Sequence, residues 1–190
     1  MREAGVLMPV SALPSRVGAG ELGESAFHFI ELLKKNHVRI WQILPLNPVG
    51  YGNSPYQPYS SCAGDDIYIS LDTLAEEGLL KKSPMLFLEK CKKVDYERVR
   101  QYREPYLRAA FMAFVEQKGY EKPEYKEFAA QSWVYEYGVF RALKKANNGA
   151  CWNEWPEEDR TWPENRHVLD TEVEAEARYQ MFLQYIFYTQ

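Results

Sequence analysis

Two short apolar runs with a helical pattern between them limit what this chain can fold into. Gly5–Val10 reads Gly-Val-Leu-Met-Pro-Val, and Val38–Leu46 reads Val-Arg-Ile-Trp-Gln-Ile-Leu-Pro-Leu. Between them, Glu24–Lys35 places Phe27, Ile30 and Leu33 at three-residue spacing and closes on Lys34-Lys35, as a helix packed along one stripe would. Strand, helix and strand within about forty residues predict a βαβ unit with parallel strands. Parallel sheets are normally covered on both faces, so two strands imply more strands and helices around them. Ile67–Leu71 reads as a further short strand, followed by a small helix over Thr73–Leu80.

From Lys81 onward the pattern turns to charged helices studded with aromatics. Tyr106–Gln117 is one, and Ser132–Lys145 is another, with Trp133, Tyr137 and Phe140 on one face. The loop Asn147–Arg166 holds Trp152, Trp155 and Trp162. A last helix opens on a Thr171-x-x-Glu174 capping box and carries Val173, Ala177, Met181 and Tyr185 on one stripe. Its end, Phe182–Tyr188, is nearly all apolar, and an end of that kind is expected to need a cover that these residues do not supply. The expected division is 1–80, the first βαβ units; 81–168, a helical inserted subdomain; and 169–190, a helix leading to further strands.

The formal charge is −4 and the Lys and Arg residues are scattered, which argues against a nucleic-acid surface. Cys62, Cys91 and Cys151 are far apart, without a C-x-x-C pair, which fits a reduced, cytoplasmic setting better than a disulfide framework. No apolar stretch approaches the roughly 18 residues of a membrane span, and the start shows no signal-peptide core. His28, His37 and His167 stand apart from one another and from any metal-ligand spacing, so no metal site is expected.

Gly18-x-Gly20-x-x-Gly23 mimics a dinucleotide fingerprint. The long, proline-containing approach from the first strand, and the absence of an acidic residue after Leu44-Pro45-Leu46-Asn47, argue instead for ordinary loop glycines. The acidic groups Asp65-Asp66, Glu76-Glu77 and Glu157-Glu158-Asp159 read as solvated surface charge. Neighbouring carboxylates on one short segment usually diverge rather than face each other across a bond.

The most distinctive segment is Asn47–Gly64, a loop at the C-terminal end of the second strand, where parallel α/β folds usually bind ligands. Prolines and glycines fix its path, Tyr51, Tyr56 and Tyr59 offer aromatic faces, and Asn53, Ser54 and Gln57 offer neutral hydrogen-bonding groups. Aromatic faces suit the apolar side of a pyranose and amides or hydroxyls suit its rim. The same residues also suit a structural loop with its tyrosines packed inward.

The run Trp41-Gln42-Ile43-Leu44-Pro45-Leu46-Asn47-Pro48, continuing through Gly50-Tyr51-Gly52-Asn53-Ser54-Pro55-Tyr56-Gln57-Pro58-Tyr59-Ser60, closely resembles the signature of the amylomaltase (4-α-glucanotransferase) family. Gly5–Ser11, Leu13-Pro14-Ser15, Val94-Asp95-Tyr96, the Trp133–Lys145 segment, Trp152-x-x-Trp155-Pro156 and Phe182–Gln190 are similar to family features as well, so the resemblance spans the chain. It implies an α/β fold, the N-terminal part of a (β/α)8 TIM barrel with an inserted helical subdomain. It implies transfer of α-1,4-glucan segments between maltooligosaccharides by a retaining mechanism, in which a nucleophile and an acid/base carboxylate stand about 5–5.5 Å apart. By the same resemblance Ser54, Pro55, Tyr56 and Gln57 line the donor site and Tyr51 belongs to a glucan-contact surface beside the cleft.

The family's catalytic carboxylates lie on later strands, so no catalytic residue is assigned here. The chain by itself is expected to be an inactive N-terminal portion whose partner is the rest of the same enzyme. No cofactor is implied. Asn53 and Pro58 stand where other members often carry Asp and Ser, and Asp65-Asp66 replaces a more usual Asn-Pro. A non-catalytic remnant or a glucan-binding module built on Tyr51, Tyr56 and the tryptophans is the alternative.

Overall fold

The computed structural model describes residues 3–81 and 93–190, with the backbone alone at Tyr51. Cys91 and the side chain of Tyr51 therefore lie outside the described residues. The chain divides into two compact units, Met1–Gln117 with Ile186–Gln190, and Lys118–Tyr185.

In the first unit, β1 (Gly5–Leu7) and β2 (Ile40–Gln42) pair in parallel, with Gly5 opposite Ile40, Val6 opposite Trp41 and Leu7 opposite Gln42. Helix α1 (Glu24–Lys35) makes the crossover, so the βαβ unit is present. The strands are shorter than the apolar runs, and the first gives way to a 3-10 turn at Val10–Ala12 just after Pro9, which has no N–H to extend a ladder. The packed face of α1 differs from the expected stripe. Ala26 and Leu33 are buried and Phe29 packs against the core, while Phe27 and Ile30 are about half exposed. The helix carries apolar residues on two faces, so periodicity alone does not choose between them.

The expected third strand over Ile67–Leu71 is absent. Asp66–Tyr68 forms a 3-10 turn and α2 (Leu71–Glu76) follows directly. Side chains divert the backbone here: an Asp65 carboxylate oxygen accepts from the Ile67 N–H at 3.1 Å, and Ser70 Oγ accepts from the Thr73 N–H at 3.2 Å. Ile67, Ile69, Leu71 and Leu74 are buried all the same, so the apolar run serves the core without pairing.

Helix α3 (Tyr96–Glu116) is capped by Asp95, whose carboxylate accepts from the Arg98 N–H at 3.1 Å. It buries Val99, Arg103, Leu107, Ala110 and Phe114. Tyr106–Gln117, expected as a helix of its own, is its second half.

The second unit holds α4 (Pro123–Ala129), α5 (Ser132–Ala146), α6 (Glu157–Arg160) and α7 (Trp162–Asn165). Val139, Ala142, Leu143, Trp155, Trp162 and Ala177 form a core cluster within it. Helix α8 (Thr171–Thr189) starts there, and its last turn belongs to the first unit. Thr171 is already helical and the Glu174 N–H bonds to the Asp170 carbonyl, so the expected capping box is not formed. The Glu174 carboxylate instead accepts from Tyr135 Oη at 2.9 Å and Arg178 Nε at 3.0 Å.

The end of α8 is not the bare apolar surface its sequence suggests. Phe182, Leu183 and Ile186 are at most 2% exposed. In the first unit Phe187 packs against the core and its ring lies over Gly64, leaving no space for a Cβ there. Tyr188 Oη donates to the Cys62 carbonyl. The Gln190 amide accepts from the Ser70 N–H at 2.6 Å and donates to the Ser70 carbonyl at 3.1 Å. Among the described residues no helix is long and apolar enough to cross a membrane.

Candidate functional site

The loop after β2 is a small hairpin. Val49 and Pro58 form an isolated antiparallel bridge, the Tyr59 N–H bonds to the Pro48 carbonyl at 3.0 Å, and the Gly50 N–H bonds to the Gln57 carbonyl at 3.3 Å. Its tip begins with a 3-10 turn at Tyr51–Asn53, where Gly52 (φ 79°) and Asn53 (φ 52°) take the left-handed conformation that Gly and Asn tolerate best. A second turn closes where the Gln57 N–H bonds to the Ser54 carbonyl at 3.1 Å. This turn brings Ser54, Pro55, Tyr56 and Gln57 together. Tyr56 is 70% exposed, Gln57 is exposed, and Ser54 and Pro55 are half-buried. The tip thus presents an aromatic ring free of core packing beside uncharged polar groups, held on a short hydrogen-bonded frame.

The base of the hairpin is fixed by side chains. Asn47 Nδ2 donates to the Ser61 and Ala63 carbonyls at 3.1 and 3.0 Å. Ser60 Oγ accepts from the N–H groups of Cys62 and Ala63, both at 3.1 Å. The Asp65 N–H bonds to the Leu46 carbonyl at 2.8 Å, and Asp65 Oδ2 accepts from the Val49 N–H at 3.4 Å.

Asp65 and Asp66 are not solvated surface charges. Asp65 is 2% exposed, and the Arg100 guanidinium donates to both of its oxygens at 2.7 Å and to Asp66 Oδ1 at 2.9 Å. Burial by itself would raise the Asp65 carboxyl, but the Arg100 hydrogen bonds and charge outweigh it and hold the group below its usual range. The neighbouring Tyr68 phenol is pushed up to about 12 by burial and by the Asp65 charge. Of the other acidic groups, Glu76 and Glu77 are exposed as expected, whereas Asp159 accepts from Asn147 Nδ2 at 2.8 Å.

The glycines of the dinucleotide-like string serve packing. The Gly20 N–H bonds to the Ser11 carbonyl at 3.0 Å, and Gly20 lies too close to the Val10 carbonyl to admit a Cβ. Ser70 Oγ stands 2.6 Å from where a Cβ on Gly23 would be, so this glycine serves the close approach of Ser70 to the start of α1. His167, which showed no metal-ligand spacing in the sequence, sits 3.9 Å from Glu158 and 4.0 Å from Asp159. Among the described residues no three His, Cys, Asp or Glu side chains gather as a metal site. Trp155 and Trp162 are buried, with indole N–H groups donating to the Ala150 and His167 carbonyls, whereas Trp152 is 59% exposed.

Sequence reasoning missed Arg100 and Arg103. Arg103 is 1% exposed, and it donates to Glu21 Oε2 at 2.9 Å and to the Ile69 carbonyl. The signal was available: Val99, Arg103 and Leu107 recur at four-residue spacing, which puts an arginine in an apolar slot of a buried face.

The family model described as 4-alpha-glucanotransferase matches residues 8–190. A 4-alpha-glucanotransferase of Synechocystis sp. is 38% identical over 205 residues, spanning 100% of this chain and 39% of that protein. One from Thermus thermophilus is 36% identical over 198 residues, spanning 100% of this chain and 38% of its own length. Among solved structures, the amylomaltase from Streptococcus agalactiae in complex with acarbose superimposes with a TM-score of 0.85 at 28% identity, covering 100% of this chain and 39% of that one. The chain therefore spans about two fifths of the length of the relatives it matches.

Proposed function

The chain belongs to the 4-alpha-glucanotransferase family, and from that membership we propose that it supplies the donor-side binding loop of an enzyme moving α-1,4-glucan segments between maltooligosaccharides. The observation that carries the reading is the hairpin tip, where Tyr56 stands exposed over a turn that also presents Ser54 and Gln57. A pyranose has an apolar face that stacks on a phenol ring and a rim of hydroxyls that pairs with neutral donors and acceptors. In this proposal Ser54, Pro55, Tyr56 and Gln57 line the donor site and Tyr51 belongs to a contact surface beside it. The acarbose bound to the Streptococcus agalactiae relative fits the same chemistry.

The reaction is proposed for the whole protein at its relatives' length. Retaining transfer needs two carboxylates about 5–5.5 Å apart across the glycosidic bond, one to form the glycosyl intermediate and one to move the proton. Asp65, the buried carboxylate at the loop's base, is committed to Arg100 and to backbone N–H groups and is not free to attack a sugar. The present residues are therefore proposed to bind and orient the donor, with catalytic groups elsewhere in a (β/α)8 barrel begun by β1 and β2. Half-exposed Leu7 and Ile40 on these strands favour further covering elements. The inserted-subdomain reading of 81–168, and of 169–190 as the return helix, belongs to the same proposal, as does a cytoplasmic location.

The test is incubation with maltotriose, following glucose and longer maltodextrins. The whole-length protein is expected to produce both, and Tyr56→Ala is expected to raise the donor KM. Production of both by the 190-residue chain alone would show that its own acidic residues are catalytic and would overturn the assignment.

A further inference from the structure

We infer that Arg100 is a positioning residue for the sugar-binding hairpin, acting through Asp65 to hold the two limbs of the loop in register. The inference rests on the proposed role of the Ser54–Gln57 tip. Its ground is the full occupation of the Asp65 carboxylate. Oδ1 accepts from Arg100 Nη1 at 2.7 Å and from the Ile67 N–H at 3.1 Å. Oδ2 accepts from Arg100 Nη2 at 2.7 Å and from the Val49 N–H at 3.4 Å. Val49 lies on the outgoing limb of the hairpin, opposite Pro58, and Ile67 lies just beyond the returning limb. One carboxylate thus joins the backbone before the tip to the backbone after it.

Arg100 stands outside the loop, on α3, whose first turns are anchored in the core by Val99 and by buried Arg103. A planar guanidinium that meets both oxygens fixes the plane of the Asp65 carboxylate, and that plane sets where the Val49 N–H can dock. The third contact, to Asp66 Oδ1 at 2.9 Å, extends the same grip one residue further. The chain therefore runs from helix to carboxylate, from carboxylate to Val49, and from the Val49–Pro58 bridge to the turn carrying Tyr56. Arg100 touches no sugar in this arrangement. Its effect is on where the tip stands, and so on how closely the Tyr56 ring and its polar neighbours meet the sugar.

Arg100→Lys keeps the charge but not the fork, and Asp65→Asn keeps the shape but loses one acceptor oxygen. In either variant of the full chain, hydrogen exchange at the amides of Val49, Gly50 and Tyr59 is expected to rise about tenfold, with α3 amides unchanged. In the whole-length enzyme, the maltotriose KM is expected to rise about tenfold while kcat stays nearly level, the pattern of binding lost equally from ground and transition states. Glu104→Gln, which breaks the Arg108–Glu104 ion pair on the same helix and leaves the Arg100–Asp65 fork in place, is the control and is expected to move neither readout. A lower melting temperature with unchanged loop exchange and unchanged KM in both variants would overturn the inference, since that is the result of a purely structural ion pair. The exchange arm uses no sugar. A wild-type protein that leaves maltotriose untouched therefore sinks the transfer reading, while the exchange result still decides the positioning of the loop.

Discussion

Arg103 Nη1 lies 2.9 Å from Glu21 Oε2, and the arginine is 1% exposed. The guanidinium also donates to the Ile69 carbonyl, and Glu21 accepts from Ser70 Oγ at 3.3 Å, so one ion pair joins the loop before α1, the segment before α2, and α3.

Removing one partner leaves the other charged and buried, which typically costs about 3–5 kcal/mol. Arg103→Met is expected to destabilise the fold on that scale at pH 7, and Arg103→Met with Glu21→Gln is expected to recover a good part of it. The pH dependence has a definite sign. Burial raises the Glu21 carboxyl above 4.5 more than the Arg103 charge lowers it, so the folded state binds the proton more tightly than the unfolded one. Stability from this group is present below 4.5 and is lost as pH rises through the folded value. Without Arg103 that loss deepens, so urea unfolding should show a smaller difference between wild type and Arg103→Met at pH 4.5 than at pH 7.

Asp65 has the opposite sign. Its folded carboxyl lies below the ordinary 3.8, so its stabilisation is present above that value and disappears as pH falls through the depressed one. Asp65→Asn is expected to lower stability at pH 7 and to narrow the gap to wild type below pH 3.8. Acid titration followed by circular dichroism checks it, and parallel curves would refute it.

Gly64→Ala is expected to cost about 1–3 kcal/mol, the range for overpacking, because the new Cβ would meet the Phe187 ring. Phe187→Leu in the same background should relieve part of that cost. Thermal melts of the single and double variants give the coupling directly, and additive effects would show that the two residues are independent.

Two tryptophans three residues apart should behave in opposite ways. Trp155→Ala empties a site at 6% exposure against Phe140, with an expected loss of about 3–5 kcal/mol. Trp152→Ala, at 59% exposure, should stay within about 0.5 kcal/mol of wild type. Equal losses in chemical denaturation would contradict the burial difference.

The βαβ start was legible because its signals are local: two apolar runs, one helical period, and a loop dense in Pro and Gly. The family was legible from the Trp41–Ser60 run alone. Much of what failed was decided by contacts distant in sequence. Ile67–Leu71 has strand-like composition, but Asp65 and Ser70 cap its backbone into turns, and the partner of Asp65 is an arginine thirty-five residues away. Phe187 looked uncovered because Gly64, over which its ring lies, comes from far earlier in the chain. Phe27 and Ile30 looked inward because α1 has two apolar faces and the sequence ranks neither. In the candidate loop, residue types were legible, but the tie through Arg100 was not, since an exposed and a buried arginine are written alike.

Gln190 grips Ser70 through both hydrogen bonds of its side-chain amide, and Phe187 closes over Gly64. For a chain emerging residue by residue from a ribosome, this sets an order of events. Lys118–Tyr185 is continuous and can condense as soon as it has been made. The unit that precedes it is completed only when Ile186–Gln190 arrive and Phe187 packs onto the core that includes Ile67 and Tyr68. The earlier-made unit is the one closed last, by residues made after the later unit is whole.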